Sequence, residues 1–168
     1  MKALTKIGLD EAKSEHLANE LNNLLATYMI FYQNARGFHW NIKGDKFFEL
    51  HVKFEELYTN LLTKVDDVAE RILTLGSTPF HTFQDYENNA SIKPTKDISD
   101  GTKAIENILK TFKAIIIKQR ALLILSAEAD DEGTNALIIS SLKVFKIFSI
   151  ASLPSERSFV GFIEALFS

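Results

Sequence analysis

The chain has no cysteine among its 168 residues. Disulfides, thiolate metal sites and thiol nucleophiles are thereby excluded, and a reducing cytoplasm is a compatible setting. Proline is scarce as well: there are three, and two of them fall between Ser77 and Pro94. No apolar run is long. Those around Ile115–Ile117 and Leu122–Leu125 are interrupted by Lys118, Gln119 and Arg120, so nothing reaches the roughly 20 apolar residues of a membrane span. Neither sign of charge dominates, with 19 Lys and Arg against 22 Asp and Glu. The pI of 5.8 argues against a strongly basic nucleic-acid binder. Met1 to Glu15 carries charges throughout and lacks the apolar centre of a secretory signal, so the chain reads as intracellular.

What is present is apolar periodicity. At 46% hydrophobic residues the chain can bury a sizeable core, and residues 1–168 read as one domain. From about Asp10 to Arg36, Leu17, Leu21, Leu24, Leu25, Tyr28, Phe31 and Tyr32 recur at threes and fours, predicting a helix with one buried face that ends at Gly37. A second helix is expected over Asp45–Leu75, which has no Gly or Pro, with Asp45 as N-cap and Gly76 as stop. Ser77–Pro94 is rich in turn formers, with room for one helical turn at Thr82–Glu87. A third helix is expected from Ser99 or Asp100 to about Ala127, and a fourth from about Thr134 after the acidic cluster ending at Gly133. Four amphipathic helices without strand-like alternation predict an all-α four-helix bundle, with a long crossover between the second and third helices.

The polar residues on this scaffold are distinctive. His39, His51, Glu55, Asp66 and Glu70 supply two imidazoles and three carboxylates along a short stretch. Nitrogen and oxygen donors in that mixture suit a first-row metal such as iron. His51, Glu55, Asp66 and Glu70 share roughly one face of a continuous helix. At about 1.5 Å rise per residue, however, His51 and Asp66 stand roughly 22 Å apart. They cannot hold the same ion within one chain, so either there are two half-sites or a second copy completes the site. His16 and His81 stand outside the pattern and remain unassigned.

The residues surrounding this set carry a resemblance. His39, Trp40, Ile42, Gly44, Leu50, His51 and Glu55, then Val65, Asp66, Val68, Ala69, Glu70, Arg71, Leu75, Gly76 and Pro79, are similar to the two signature motifs of the Dps family, the DNA-binding proteins from starved cells. It is strongest from about Asn34 to Ser91 and extends loosely to the Asp131–Asn135 segment. It implies a ferritin-like subunit in a hollow homo-dodecamer with iron stored inside. It also implies a ferroxidase site at a two-fold interface, His39, His51 and Glu55 coming from one chain and Asp66 and Glu70 from its neighbour. Two Fe(II) would be oxidised per hydrogen peroxide and the Fe(III) kept as mineral. Glu55 stands where many members have the shorter aspartate.

Further expectations follow. Asp130, Asp131 and Glu132 are candidates for an acidic iron-entry pore at a three-fold axis, with helix capping as the alternative role. Trp40 and Tyr58 are candidates for relaying oxidising equivalents, with burial as core aromatics as the alternative. The alternative function, a DNA-condensing nucleoid protein with a secondary metal site, is not favoured by charge. The leader offers only Lys2, Lys6 and Lys13, and twelve copies at −3 each would carry roughly −36. Residues 136–168 form an atypical end. Ala136–Leu153 is apolar on several faces, and a short amphipathic tail is expected from Phe159 to Phe167 after Pro154. Burial in an assembly or a shifted reading frame in the source gene would each account for it.

Overall fold

The computed structural model describes residues 3–96 and 99–150, with side chains up to residue 143. Helices α1 (Glu11–Asn41), α2 (Phe47–Thr74), α3 (Phe83–Asn89), α4 (Gly101–Glu128) and α5 (Glu132–Ile150) follow in order, and no strand occurs among the described residues. The expected tail from Phe159 to Phe167 lies outside them.

Two hairpins make up the bundle. A short connection returns α2 antiparallel to α1, and a tighter one returns α5 along α4, while α1 packs against both α2 and α4. The core lies where these faces meet. Leu17, Leu21, Leu24, Leu25, Tyr28 and Phe31 of α1 face Phe54, Leu57, Leu61 and Ile72 of α2 and Ile108, Phe112 and Ile115 of α4, all nearly without solvent contact. Phe31 meets Phe112 edge to face at 5.3 Å. One polar knot interrupts this oil. Gln119 Nε2 donates to Tyr28 OH and Ser141 Oγ, each at 2.8 Å, tying α1, α4 and α5 together. Burial pushes the Tyr28 phenol well above its ordinary pKa, so it stays a neutral hydrogen-bonding group.

The crossover, residues 75–100, carries α3 and passes over α1. Its backbone is satisfied by α1 side chains, because a connection cannot lie on a helix with unpaired amides. Asn22 accepts from Phe80 N–H at 2.8 Å and donates to the Thr78 carbonyl at 3.1 Å. Asn34 does the same for Thr95 and Lys93 at 3.0 and 3.1 Å, and Thr27 accepts from Ser91 N–H at 3.0 Å. Asn22 and Asn34 thus give the interior of α1 buried polar residues that are clamps.

Helix ends depart from the sequence expectations in instructive ways. α1 does not stop at Gly37 but runs to Asn41, because Phe38 is fully buried against Phe54, 5.7 Å away. That burial outweighs the ~1 kcal/mol propensity cost of an internal glycine. α2 begins at Phe47, and its N-cap is Lys46, without a side-chain cap, in place of Asp45. It ends as expected at Gly76, whose φ of +86° sustains the left-handed stop. α5 starts at Glu132, ahead of Thr134, because Asp131 accepts the Thr134 N–H at 3.1 Å and caps it.

Candidate metal centre

The extra turn of α1 carries His39 and Trp40 to the mouth of the first hairpin, opposite the first turns of α2. There His39 and His51 lock each other. His39 Nδ1 lies 2.7 Å from the His51 carbonyl oxygen, and His51 Nδ1 lies 2.8 Å from that of His39. A carbonyl only accepts, so the network assigns the proton of each ring to Nδ1 and leaves the lone pair on Nε2. The rings stack at 3.7 Å and 22°, and Phe47 covers His51 at 4.9 Å. The two imidazoles are therefore oriented by their Nδ1 contacts, with Nε2 the ring nitrogen left as a candidate metal donor.

Glu55 follows one turn after His51 and is exposed. Tyr58 spans the two ligands. Its ring stands edge-on to His39 at 5.4 Å, and its hydroxyl lies within reach of the Glu55 charge. Partial burial first, and the Glu55 charge next, raise the Tyr58 phenol, which keeps its proton. Tyr32 meets the far side of Tyr58 at 5.9 Å. Arg36 lies over Trp40 at 4.4 Å and over Tyr58 at 5.9 Å, and donates to Tyr32 OH at 2.7 Å. Tyr32, expected from periodicity as part of the core face, joins Arg36 and Phe47 around this site instead. Arg36 and Tyr32 lie one and two turns before His39, which is the signal that would have found them.

Asp66 and Glu70 are also exposed, four to five turns further along α2. Among the described residues of one chain no three His, Asp or Glu side chains gather. The face that carries them is otherwise apolar: Phe48, Val52, Leu62 and Leu73 are 81%, 49%, 45% and 60% exposed. This stripe is symmetric about its centre. His51 and Glu70, Glu55 and Asp66, Phe48 and Leu73, Val52 and Ala69, and Thr59 and Leu62 are each equidistant from the point between Asn60 and Leu61.

The acidic turn between α4 and α5 divides. Asp130, at φ +56°, and Glu132 are exposed, whereas Asp131 is 3% exposed and ion-paired with Arg71 of α2. Arg71 Nε also donates to Thr134 Oγ1 at 2.8 Å. Burial raises Asp131, but the Arg71 and Thr134 hydrogen bonds and the Arg71 charge outweigh it and hold the carboxyl below its ordinary value. A Cβ on Gly133 would stand 2.6 Å from Arg71 Nη1, so glycine is what admits the guanidinium. His16 and His81 are exposed and apart from these groups.

The ferritin-like domain model matches residues 18–144. A DNA protection during starvation protein of Porphyromonas gingivalis is 39% identical over 141 residues, covering 84% of this chain and 89% of that one. The chain belongs to the Dps family. A Haemophilus influenzae protein of no assigned function is 48% identical over 139 residues, 83% of this chain and 87% of its own. The crystal structure of a Dps protein from Vibrio cholerae, described as a member of the ferritin-like diiron-carboxylate superfamily, superposes with a TM-score of 0.85 at 42% identity. It covers 100% of this chain and 99% of that one. The all-α Dps fold and the ferritin-like bundle are thus those of this chain. No helix among the described residues is long and apolar enough to cross a membrane.

Proposed function

We propose that two copies of this Dps chain pair antiparallel along α2 and build shared centres that oxidise Fe(II), preferably with hydrogen peroxide. His39, His51 and Glu55 come from one copy and Asp66 and Glu70 from the other. The observation that carries this reading is the symmetry of the α2 stripe. A two-fold axis between Asn60 and Leu61 sets His51 opposite Glu70 and Glu55 opposite Asp66, while Phe48 meets Leu73 and Val52 meets Ala69. Isologous pairing demands this arrangement, and it gives the exposed apolar residues a place to be buried.

Iron is the substrate, and the residues suit it. Two neutral Nε2 donors and three carboxylates bind Fe(II), and the hard oxygens favour the Fe(III) product. Two Fe(II) each lose one electron, the peroxide O–O bond breaks, and with two protons two waters form. Taking both electrons from iron avoids release of hydroxyl radical. Tyr58, edge-on to His39, and Trp40, next to His39 in the chain, would relay oxidising equivalents.

The Fe(III) is then held as mineral inside a hollow cytoplasmic dodecamer. Asp130 and Glu132 supply the free charge of the entry pore, and Asp131 anchors their turn through Arg71. DNA is protected by removal of iron and peroxide; at −3 per chain the assembly does not attract a polyanion. Anaerobic Fe(II) loading followed by peroxide, read by absorbance of the ferric product, tests the assignment. His51→Ala and Glu70→Ala should each lose rapid oxidation, and a variant that oxidises at the wild-type rate would refute the shared site.

A further inference from the structure

Residues 3–11 fold into a hook. Leu4 bridges to Asp10, Thr5 N–H donates to the Leu9 carbonyl at 2.8 Å, and Glu11 N–H to that of Ala3 at 3.0 Å. Leu9 is thereby folded onto the core, while Leu4 and Ile7 are left 64% and 48% exposed. An ordered, hydrogen-bonded turn seldom keeps apolar side chains outward without a surface to cover them. Between the hook and the last turn of α2 runs a groove of about 600 Å³, lined among others by Leu4, Lys6, Glu11, Glu15, Leu73 and Gly76.

Leu73 belongs both to this groove and to the α2 stripe. We infer that the groove receives the α1–α2 turn of a second copy of this chain, with the partner's Phe48 seated between Leu4 and Leu73, so that the hook latches the pair. The inference rests on the antiparallel α2 pairing proposed above, and extends it beyond the helices. In that register the partner's Phe48 falls opposite Leu73, at the groove, and Phe48 is 81% exposed in the single chain. The charges on the two sides are complementary. The groove offers Glu11 and Glu15, and the entering turn carries Lys43 and Lys46; Lys6 of the groove has Asp45 of that turn as its opposite. Because the two-fold repeats the contact, each pair has two latches, one beyond each shared metal centre.

The absence of cysteine gives a clean background for cross-linking. With a short bismaleimide on the assembled protein, the Leu4→Cys/Phe48→Cys variant should run as a covalent dimer on a denaturing gel. Phe48→Cys/Leu73→Cys should do the same as a test of the register alone. In the paired state the two Phe48 positions stand roughly 37 Å apart, so Phe48→Cys by itself should not cross-link. A dimer from the 48/73 variant with none from the 4/48 variant overturns the latch and leaves the α2 pairing standing. No dimer from either removes the pairing and the latch with it. A dimer formed as readily by either single-cysteine variant overturns the latch too. Leu4→Asp, an exposed substitution that leaves the core untouched, gives a second measurement. Helicity should be unchanged, and the protein concentration at which the pairs half-dissociate should rise at least about tenfold; an unchanged midpoint overturns the inference.

Discussion

The two ends of α2 carry the two halves of the candidate centre, and they are built in opposite ways. At the start, His51 is fixed by a reciprocal hydrogen bond with His39, stacked on by Phe47, and followed by a Glu55 whose charge acts on the Tyr58 phenol. At the far end Asp66 and Glu70 project from the helix into solvent. Only the half that must choose a tautomer has been pre-set. Carboxylates accept a metal with either oxygen and in many orientations, so the second half can be supplied by rigid docking of a helix, with no side-chain scaffold of its own. On the shared-site reading proposed above, assembly is then the step that switches the chemistry on.

The largest effect should come from separating the halves. His51→Ala and Glu70→Ala should each lower peroxide-driven Fe(II) oxidation by on the order of 100-fold or more, since metal affinity is sensitive even to groups outside the ligand shell. The variants, unfolded together and refolded as a mixture, should regain about a quarter of wild-type activity, because half the pairs are mixed and each of these rebuilds one of its two sites. Mixing without recovery would overturn the shared site.

A smaller effect should come from loosening the bare end. Arg71, next to Glu70 and half-buried, pairs with the buried Asp131, whose second oxygen has no hydrogen-bond partner. Removing it strands a buried carboxylate, so Arg71→Ala should cost about 3 kcal/mol in chemical denaturation at neutral pH. The pH dependence has a definite sign. The folded-state carboxyl titrates below its ordinary value of 3.8, so its contribution is present above that pH and is lost as pH falls through the lower folded value. The gap between wild type and Arg71→Ala should therefore narrow in acid. A gap that is constant with pH would remove the ion pair as its cause.

The same contrast explains what could be read from the chain. The bundle was legible because Leu17, Leu21, Leu24 and Phe31 repeat at helical spacing, and Gly76 stops α2 by its own backbone preference. Gly37 misled, because the burial of Phe38 that carries the helix through it depends on Phe54 in another element. The ligand types and the 22 Å paradox came from spacing alone. The reciprocal histidine lock did not, since it joins each ring to a backbone carbonyl that every residue possesses. Asp131 looked like its neighbours Asp130 and Glu132. Only its distance partner, Arg71, together with the gap left by Gly133, turns it inward. The N-terminal hook has no periodicity to betray it.

The smallest effect should come from the support under Glu55. Tyr58→Phe keeps the ring that stands against His39 and Tyr32 and deletes only the hydroxyl, which lies within reach of the Glu55 charge. If that hydroxyl donates to the Glu55 carboxylate in the assembled centre, the bond contributes about 1.5 kcal/mol, and Fe(II) affinity at the histidine-bearing half should fall roughly tenfold with stability nearly unchanged. Glu55→Asp would retract the carboxylate from Tyr58 by one methylene and should show a loss of similar size. In that shorter background the further change Tyr58→Phe should add almost nothing, because the bond it removes is already broken. Full additivity of the two losses would show that Tyr58 acts through His39 and not through Glu55. The pre-set half would then be an imidazole device alone, with Glu55 as unsupported as the carboxylates at the other end of α2.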